Sequence, residues 1–213
     1  MFTSLPNLLT LSRIAAIPVL VALMFQSGDW ARWLACAVFT AAAVTDWFDG
    51  YLARSLNQIS AFGRMMDPIA DKLLVGAALF MLAAMERLEG FAVLPALVIL
   101  CREILVSGLR EYLAGTRISV PVSALAKWKT GIQMTALGVL IVGDAGRALL
   151  PLPVALIGEG LLWVAAGLTL VTGWDYLRSS LHHVEQPQPA ASPAAGGAPV
   201  ANAAAGKNAR QAG

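Results

Sequence analysis

The sequence predicts an all-α, polytopic integral membrane protein with six transmembrane helices. Hydrophobic residues make up 58% of the 213 residues and charged residues only 13%, whereas soluble domains carry about 25% charged residues. The mean hydropathy is correspondingly high, at +0.69. Apolar stretches also approach the ~20 residues that a helix needs to cross ~30 Å of hydrocarbon, and the chain has room for six of them.

The predicted spans follow one another along the first 170 residues. Their expected bounds are 8–25, 33–53, 68–85, 91–112, 128–142 and 152–170. The first has no basic segment before it and no cleavage site after it, so it is expected to be a retained span rather than a signal peptide. Proline favours the first helical position, so a loop over 56–62 is expected to lead into a third helix that begins near Pro68, with Asp67 at its N-terminus.

The remaining features of the chain indicate its topology and its domain organisation. Twelve Lys and Arg residues fall on the face shared by the two termini and three on the opposite face. By the positive-inside rule, both termini are expected to be cytoplasmic. After a membrane domain over 1–180, the composition of 185–213 turns to Pro, Ala, Gly, Gln and Asn, which predicts a disordered tail.

Four carboxylates within 26 residues stand out in this apolar chain: Asp46, Asp49, Asp67 and Asp71. Each costs about 2 to 3 kcal/mol inside a span, so a bound partner is expected to offset them. Spacings of three and four residues place each pair on one helix face. Carboxylates suit magnesium or manganese, and zinc would call for His or Cys, which are not found nearby.

Two alternatives to a metal site remain open for these aspartates. They could pair with Arg54, Arg64 and Lys72 in a buried ion network, which would not require the neighbouring glycines. They could also mark a cation transporter. The sequence shows no second copy of the aspartate pattern, although transporters often contain internal repeats.

The segment from Asp46 to Asp71 reads D-x2-D-G-x2-A-R-x8-G-x3-D-x3-D. This pattern resembles the signature of the CDP-alcohol phosphotransferase family, whose members are membrane enzymes that join a CDP-activated group to an alcohol and release CMP. The resemblance implies a homodimer, and two divalent cations, Mg²⁺ or Mn²⁺, held by the four aspartates, with Asp71 as the base. The contacts expected for CDP-diacylglycerol are Asn7, Thr10, Asp46, Gly50, Ala53, Arg54, Ser60 and Gly63.

The N-terminal stretch around Asn7 and Thr10 also resembles family members, but it permits a structural interpretation. Asn7 could cap the first helix, and Arg13 could extend its charged end to the membrane surface. A cap and a substrate contact can coexist.

Segments 102–111 and 127–133 resemble the branch of the family that uses glycerol 3-phosphate, the phosphatidylglycerophosphate synthases. An acceptor that carries its own phosphate needs a cationic pocket. The expected contacts are Arg110, Arg117, Lys127 and Lys129. These residues could instead be drawn to anionic lipid headgroups. Glu103 is expected to be neutralised by the adjacent Arg102.

The expected function is transfer of the phosphatidyl group of CDP-diacylglycerol to glycerol 3-phosphate, in the inner membrane of a bacterium. Serine, inositol phosphate and phosphatidylglycerol remain alternative acceptors. The bilayer is an expected partner, and nucleic acid is not.

Overall fold

A computed structural model of the chain describes residues 5–55, 61–115, 124–148 and 152–184. The predicted lipid contact Ser60, the predicted acceptor contact Arg117 and the predicted disordered tail over 185–213 lie outside the described residues. The backbone of 46–55 is described as helix, but the side chains of those residues are not.

The described residues form six long α-helices and two short 3₁₀-helices, with no β-strand among them, which confirms the all-α prediction for this part of the chain. The long helices are α1 (Leu5–Met24), α2 (Asp29–Ser55), α3 (Ala61–Ala84), α4 (Val93–Gly115), α5 (Ala124–Val142) and α6 (Val154–Val184). The 3₁₀-helices are Gly90–Ala92, before α4, and Gly143–Ala148, after α5.

Several helices run beyond the predicted spans, and one of these extensions overturns an expectation. Helix α3 begins at Ala61, so Asp67 is its seventh residue and Pro68 lies inside it. The prediction that Asp67 sits at the helix N-terminus was therefore wrong. A proline removes one backbone hydrogen bond and kinks a helix without necessarily ending it.

The distribution of side chains is that of a membrane protein. Many large apolar side chains face outward, and Phe80 and Trp128 are each 71% exposed. Several polar side chains are instead buried, among them Asn7, Glu103 and Gln133. Exposed apolar surface of this extent needs a covering such as lipid. By length and composition, three helices can each cross a bilayer, over Asn7–Met24, Gly90–Leu113 and Val154–Arg178.

Consecutive helices alternate in direction, which brings the starts of α1, α3 and α5 together with the ends of α2, α4 and α6. Contacts at this end include Thr10 with Asp67, Lys72 with Glu103, and Arg102 with Thr172. We call it the aspartate end. At the opposite end, Arg87 Nη1 donates to the carbonyl of Ile141 at 2.7 Å, which ties the turn after α3 to the last turn of α5.

Close packing of α5 against α6 supports this arrangement. A Cβ atom added to Gly158 of α6 would lie 2.7 Å from Leu140 Cγ of α5, so the glycine permits the two helices to approach. Leu137, Leu140 and Leu162 complete a buried apolar layer here. A close-packed apolar core thus supports the helices that carry the polar side chains of the aspartate end.

Candidate active site at the aspartate end

A polar cavity of about 240 Å³ opens at the aspartate end between α3 and α4. Its lining is rich in ionisable side chains, which in so apolar a chain marks a candidate functional site. The lining residues are Asp67, Pro68, Asp71 and Lys72 of α3, and Arg102, Glu103, Val106, Ser107, Arg110 and Glu111 of α4.

Asp67 and Asp71 both line this cavity, which confirms that the spacing of four residues places them on one face of α3. Asp46 and Asp49 lie in α2, and their side chains are not described. No cluster of three metal-ligating side chains occurs among the described residues, but only two of the four predicted ligands have described side chains. The donors that are described are hard carboxylate oxygens in a polar cavity, and they fit a hard divalent cation.

Thr10 of α1 supports one of these carboxylates directly. Its hydroxyl donates to Asp67 Oδ1 at 2.5 Å, and only 1% of Thr10 is exposed. A side chain that holds a ligating carboxylate in place contributes to affinity for the metal without touching it. Thr10 thus contacts a predicted metal ligand, and its contact with CDP-diacylglycerol stays a prediction.

Asn7, Thr10 and Arg13 lie on one buried face of α1. The structural alternative left open for this stretch is wrong on two points. Asn7 lies inside α1 rather than before it, so it does not cap the helix. Arg13 is 1% exposed and therefore does not extend to the membrane surface. The spacing of three residues between these polar side chains was the sequence signal for a shared buried face.

Glu103 is the centre of a charged network that joins three helices. Lys72 of α3 lies 2.7 Å from Glu103 Oε2, Lys129 of α5 donates to Oε1, and Arg102 Nη1 lies 3.5 Å from Oε1. Lys72 also donates to Asp71 Oδ2 at 2.8 Å. The sequence paired Glu103 with Arg102 alone, and its two lysine partners were missed because they come from other helices.

Arg102 instead uses much of its length to contact α6. Its Nη2 donates to Thr172 Oγ1 at 3.2 Å, and its Cγ lies 3.1 Å from the position of a Cβ added to Gly173. The side chain thereby ties α4 to α6.

The predicted acceptor contacts occupy different environments. Arg110 lines the polar cavity and stacks over Tyr176 of α6, with its guanidinium carbon 5.8 Å from the ring centre. Lys127 is exposed, and Lys129 is buried against Glu103. Of the described members of this set, Arg110 is the one that lines the cavity.

The predicted nucleotide contacts are only partly described. Gly50, Ala53 and Arg54 lie in the last turns of α2, and Gly63 is buried in the first turn of α3. These two helix ends follow one another in the chain. Their contacts with the nucleotide stay predictions.

An apolar groove of about 1170 Å³ continues from the polar cavity along α1, α3 and α4. It shares Pro68, Lys72, Ser107 and Glu111 with the cavity and is otherwise lined mainly by side chains such as Leu73. A ligand with a charged end and a hydrocarbon part would find both environments side by side.

The model of the CDP-alcohol phosphatidyltransferase family matches residues 3–171, which is most of the chain and includes the cavity. The chain belongs to the CDP-alcohol phosphatidyltransferase family. This assignment accounts for the aspartates of α2 and α3 as parts of one family signature, and members of the family use divalent metal ions.

Individual members of the family cover nearly the same length. A protein of Rickettsia bellii is 49% identical over 176 residues, which are 83% of this chain and 94% of the relative. A Bacillus subtilis protein is 41% identical, with 81% and 93% covered. A Cereibacter sphaeroides protein is 39% identical, with 85% and 97% covered. All three are named CDP-diacylglycerol–glycerol-3-phosphate 3-phosphatidyltransferase.

Proposed function

We propose that this CDP-alcohol phosphatidyltransferase transfers the phosphatidyl group of CDP-diacylglycerol to glycerol 3-phosphate, giving phosphatidylglycerophosphate and CMP for phospholipid biosynthesis. The observation that carries the proposal is that Asp67 and Asp71 share one polar cavity with Arg110. Carboxylates for metal chemistry and a cation for an anionic acceptor thus stand together. The names of relatives that are 39 to 49% identical support the same reaction.

In this proposal Asp46, Asp49, Asp67 and Asp71 hold two divalent cations, magnesium or manganese. When bound, the cations neutralise the pyrophosphate of the lipid and the charge on the leaving CMP. Thr10 fixes the Asp67 carboxylate through the hydrogen bond to Oδ1. Asn7, Gly50, Ala53, Arg54, Ser60 and Gly63 are the remaining proposed contacts to CDP-diacylglycerol.

Asp71 is the proposed general base. Lys72 occupies its Oδ2 oxygen, so Oδ1 is the atom that we assign to the proton. The free terminal hydroxyl of glycerol 3-phosphate loses that proton as its oxygen bonds to the lipid-side phosphorus. The bond from that phosphorus to the bridging oxygen breaks, and CMP leaves with the electron pair. A base within the cavity is needed because an alcohol is a weak nucleophile.

Arg110 is the proposed contact to the acceptor phosphate, since a guanidinium forms charge-assisted hydrogen bonds with phosphate oxygens. Its stacking on Tyr176 limits the positions open to its side chain. Arg117 and Lys127 remain further proposed contacts. Lys129 does not line the cavity, and its ammonium is buried against Glu103. We therefore propose that it affects acceptor binding indirectly, through Glu103.

The apolar groove supports a lipid substrate. Its shared lining with the cavity allows acyl chains to stay in a hydrocarbon environment while the headgroup reaches the aspartates. We propose that the protein lies in a bacterial inner membrane with six spans, with the aspartate end and both termini facing the cytoplasm. We also propose the homodimer that is expected of the family, which light scattering of the purified protein would test.

The test is CMP release by the purified protein in detergent with CDP-diacylglycerol and magnesium, with glycerol 3-phosphate, serine, inositol phosphate or phosphatidylglycerol added in separate reactions. We expect release with glycerol 3-phosphate and loss of that release in Asp71→Asn. Release with a different acceptor would overturn the substrate assignment. An active Asp71→Asn variant would remove Asp71 as the base.

Two controls accompany this test. Asp144→Asn removes a carboxylate at the opposite end that is paired with Arg147 at 3.1 Å on the exposed surface, and it should keep full activity. Ion flux into sealed vesicles containing the protein, in the absence of CDP-diacylglycerol, would instead indicate a transporter.

A further inference from the structure

Glu103 is a buried carboxylate that the proposed reaction does not use. It lies on α4 with 6% of the residue exposed, and it lines the same cavity as Asp71. A buried charge needs partners, and Glu103 has them on α3 and α5 as well as on its own helix.

The Lys72 ammonium lies between two carboxylates. It is 2.8 Å from Asp71 Oδ2 and 2.7 Å from Glu103 Oε2, so neither carboxylate holds it alone. These two are the carboxylate partners of Lys72 in the described part of the chain. Without Glu103, the full charge of Lys72 would fall on Asp71, the residue that must bind a cation and accept a proton.

We propose that Glu103 is a positioning residue of the active site: it anchors the Lys72 ammonium, so that this lysine orients the Asp71 carboxylate without monopolising it. The proposal rests on the proposed function, because it assumes that Asp71 works at the reaction centre. Glu103 need not touch a substrate or a metal to have this effect.

Lys129 of α5 holds Glu103 in place. It is 3% exposed, donates to Glu103 from α5, and is not among the residues that line the cavity. The Lys129 ammonium contacts Glu103 Oε1, which leaves the other oxygen, Oε2, directed at Lys72. The network therefore fixes Asp71 through a chain of contacts that runs from α5 through α4 to α3.

The first variant is Glu103→Gln in the full chain, which keeps the size of the side chain and removes its charge. We expect kcat for CMP release to fall about 10- to 100-fold and Mn²⁺ affinity, measured by electron paramagnetic resonance, to weaken by a similar factor. The KM values for both substrates should change little. Glu103→Asp should recover part of kcat. Unchanged kcat and Mn²⁺ affinity would overturn the proposal.

A second variant separates positioning from folding, because Glu103→Gln leaves the Lys129 charge buried without its carboxylate partner and the protein could fail to fold. Glu103→Gln combined with Lys129→Met removes both members of that pair. We expect this double variant to be stable but to keep the low kcat. Recovery of kcat to the wild-type value would show that Glu103 merely neutralises Lys129, and would overturn the proposal.

A third comparison tests the route through Lys72. In a Lys72→Met background, Glu103→Gln should have little further effect on kcat or on Mn²⁺ affinity, since the positioned ammonium is already gone. Effects that multiply independently would overturn the route. Glu159→Gln is the matched control, because it removes a half-buried carboxylate of α6 that lines a cavity at the opposite end, and it should leave kcat unchanged.

Failure of the proposed function is distinguishable from failure of this inference. Absence of CMP release by the wild-type protein with glycerol 3-phosphate would refute the proposed function. Mn²⁺ binding does not require an acceptor, so the wild-type and Glu103→Gln proteins can still be compared. Weaker binding in the variant would support the positioning role, and equal binding would overturn it.

Discussion

Single hydrogen bonds hold the described aspartates in place, and the shorter of the two, to Asp67, comes from Thr10. We predict that Thr10→Val, which keeps the shape and removes the hydroxyl, weakens Mn²⁺ affinity about tenfold or more. The physical reason is that Asp67 Oδ1 loses its donor and the carboxylate gains freedom. Titration of Mn²⁺ followed by electron paramagnetic resonance measures the change.

Two controls bracket the Thr10 prediction. Thr10→Ser keeps the hydroxyl and should retain most of the affinity. Ser12→Ala, on the exposed side of the same helix, removes a hydroxyl that only bonds to the carbonyl of Leu9, and it should have no effect. Equal affinities for Thr10→Val and wild type would show that the hydrogen bond does not support metal binding.

Arg110 provides the second prediction at this scale. If its guanidinium binds the acceptor phosphate, Arg110→Ala should raise KM for glycerol 3-phosphate about 10-fold or more, since a hydrogen bond to a charged group contributes about 1.5 to 3 kcal/mol. KM for CDP-diacylglycerol should change little. Steady-state CMP release at varied concentrations of each substrate measures both values.

Arg147→Ala is the control for Arg110→Ala, because Arg147 is an exposed arginine at the opposite end of the bundle. It should leave both KM values unchanged. A parallel rise in both KM values for Arg110→Ala would indicate general damage to the site and contradict a specific role in acceptor binding.

At the scale of whole helices, the contact between α5 and α6 is the most sensitive to side-chain size. We predict that Gly158→Ala destabilises the protein by about 1 to 3 kcal/mol, because the new Cβ would lie 2.7 Å from the buried Leu140 side chain and force it to move. Unfolding in detergent, followed by circular dichroism, measures the change.

Gly160 provides a matched control on the same helix. A Cβ atom added there meets no other atom within 4 Å. Gly160→Ala should therefore be neutral or stabilising by up to about 1 kcal/mol, since alanine favours helix more than glycine does. Equal stability of the two variants would contradict close packing at Gly158.

The helices were predicted well where local sequence patterns determine them, and less well where contacts between helices do. Hydrophobic stretches and the spacing of Asp67 and Asp71 predicted the all-α class and the shared face of α3, because both depend on local periodicity. The start of α3 was missed, because Pro68 was interpreted as a helix start although it lies inside the helix. The Lys72 and Lys129 contacts of Glu103 were missed, because they depend on packing between helices.

For the molecule as a whole, the alternation of helices gathers polar groups of several elements at one end. Basic side chains contribute strongly to this grouping, as Lys72, Arg102, Arg110 and Lys129 all belong to the aspartate end. Some of the Lys and Arg residues that were counted for the positive-inside rule therefore also pair with carboxylates inside the protein. The proposed cytoplasmic orientation of the aspartate end is open to a direct test by labelling.

We predict that the two ends of the bundle are labelled from opposite sides of the membrane. The test uses full-length protein with Cys36→Ala and Cys101→Ala, to which one new cysteine is added. Ser27→Cys, in the exposed turn between α1 and α2, should react with an impermeant maleimide applied to spheroplasts. A cysteine appended to the C-terminus should react only after lysis, since positively charged segments remain in the cytoplasm.

Asp144→Cys provides a second labelling position at the same end of the bundle, so that the result does not depend on Ser27 alone. It follows α5 at the same end of the bundle as Ser27, and the fold requires that it be labelled from the same side. Labelling of Ser27→Cys and Asp144→Cys from opposite sides would contradict the bundle itself. Labelling of the C-terminal cysteine in spheroplasts, with both others protected, would keep the fold and reverse its orientation, which would place the aspartates away from a cytoplasmic acceptor.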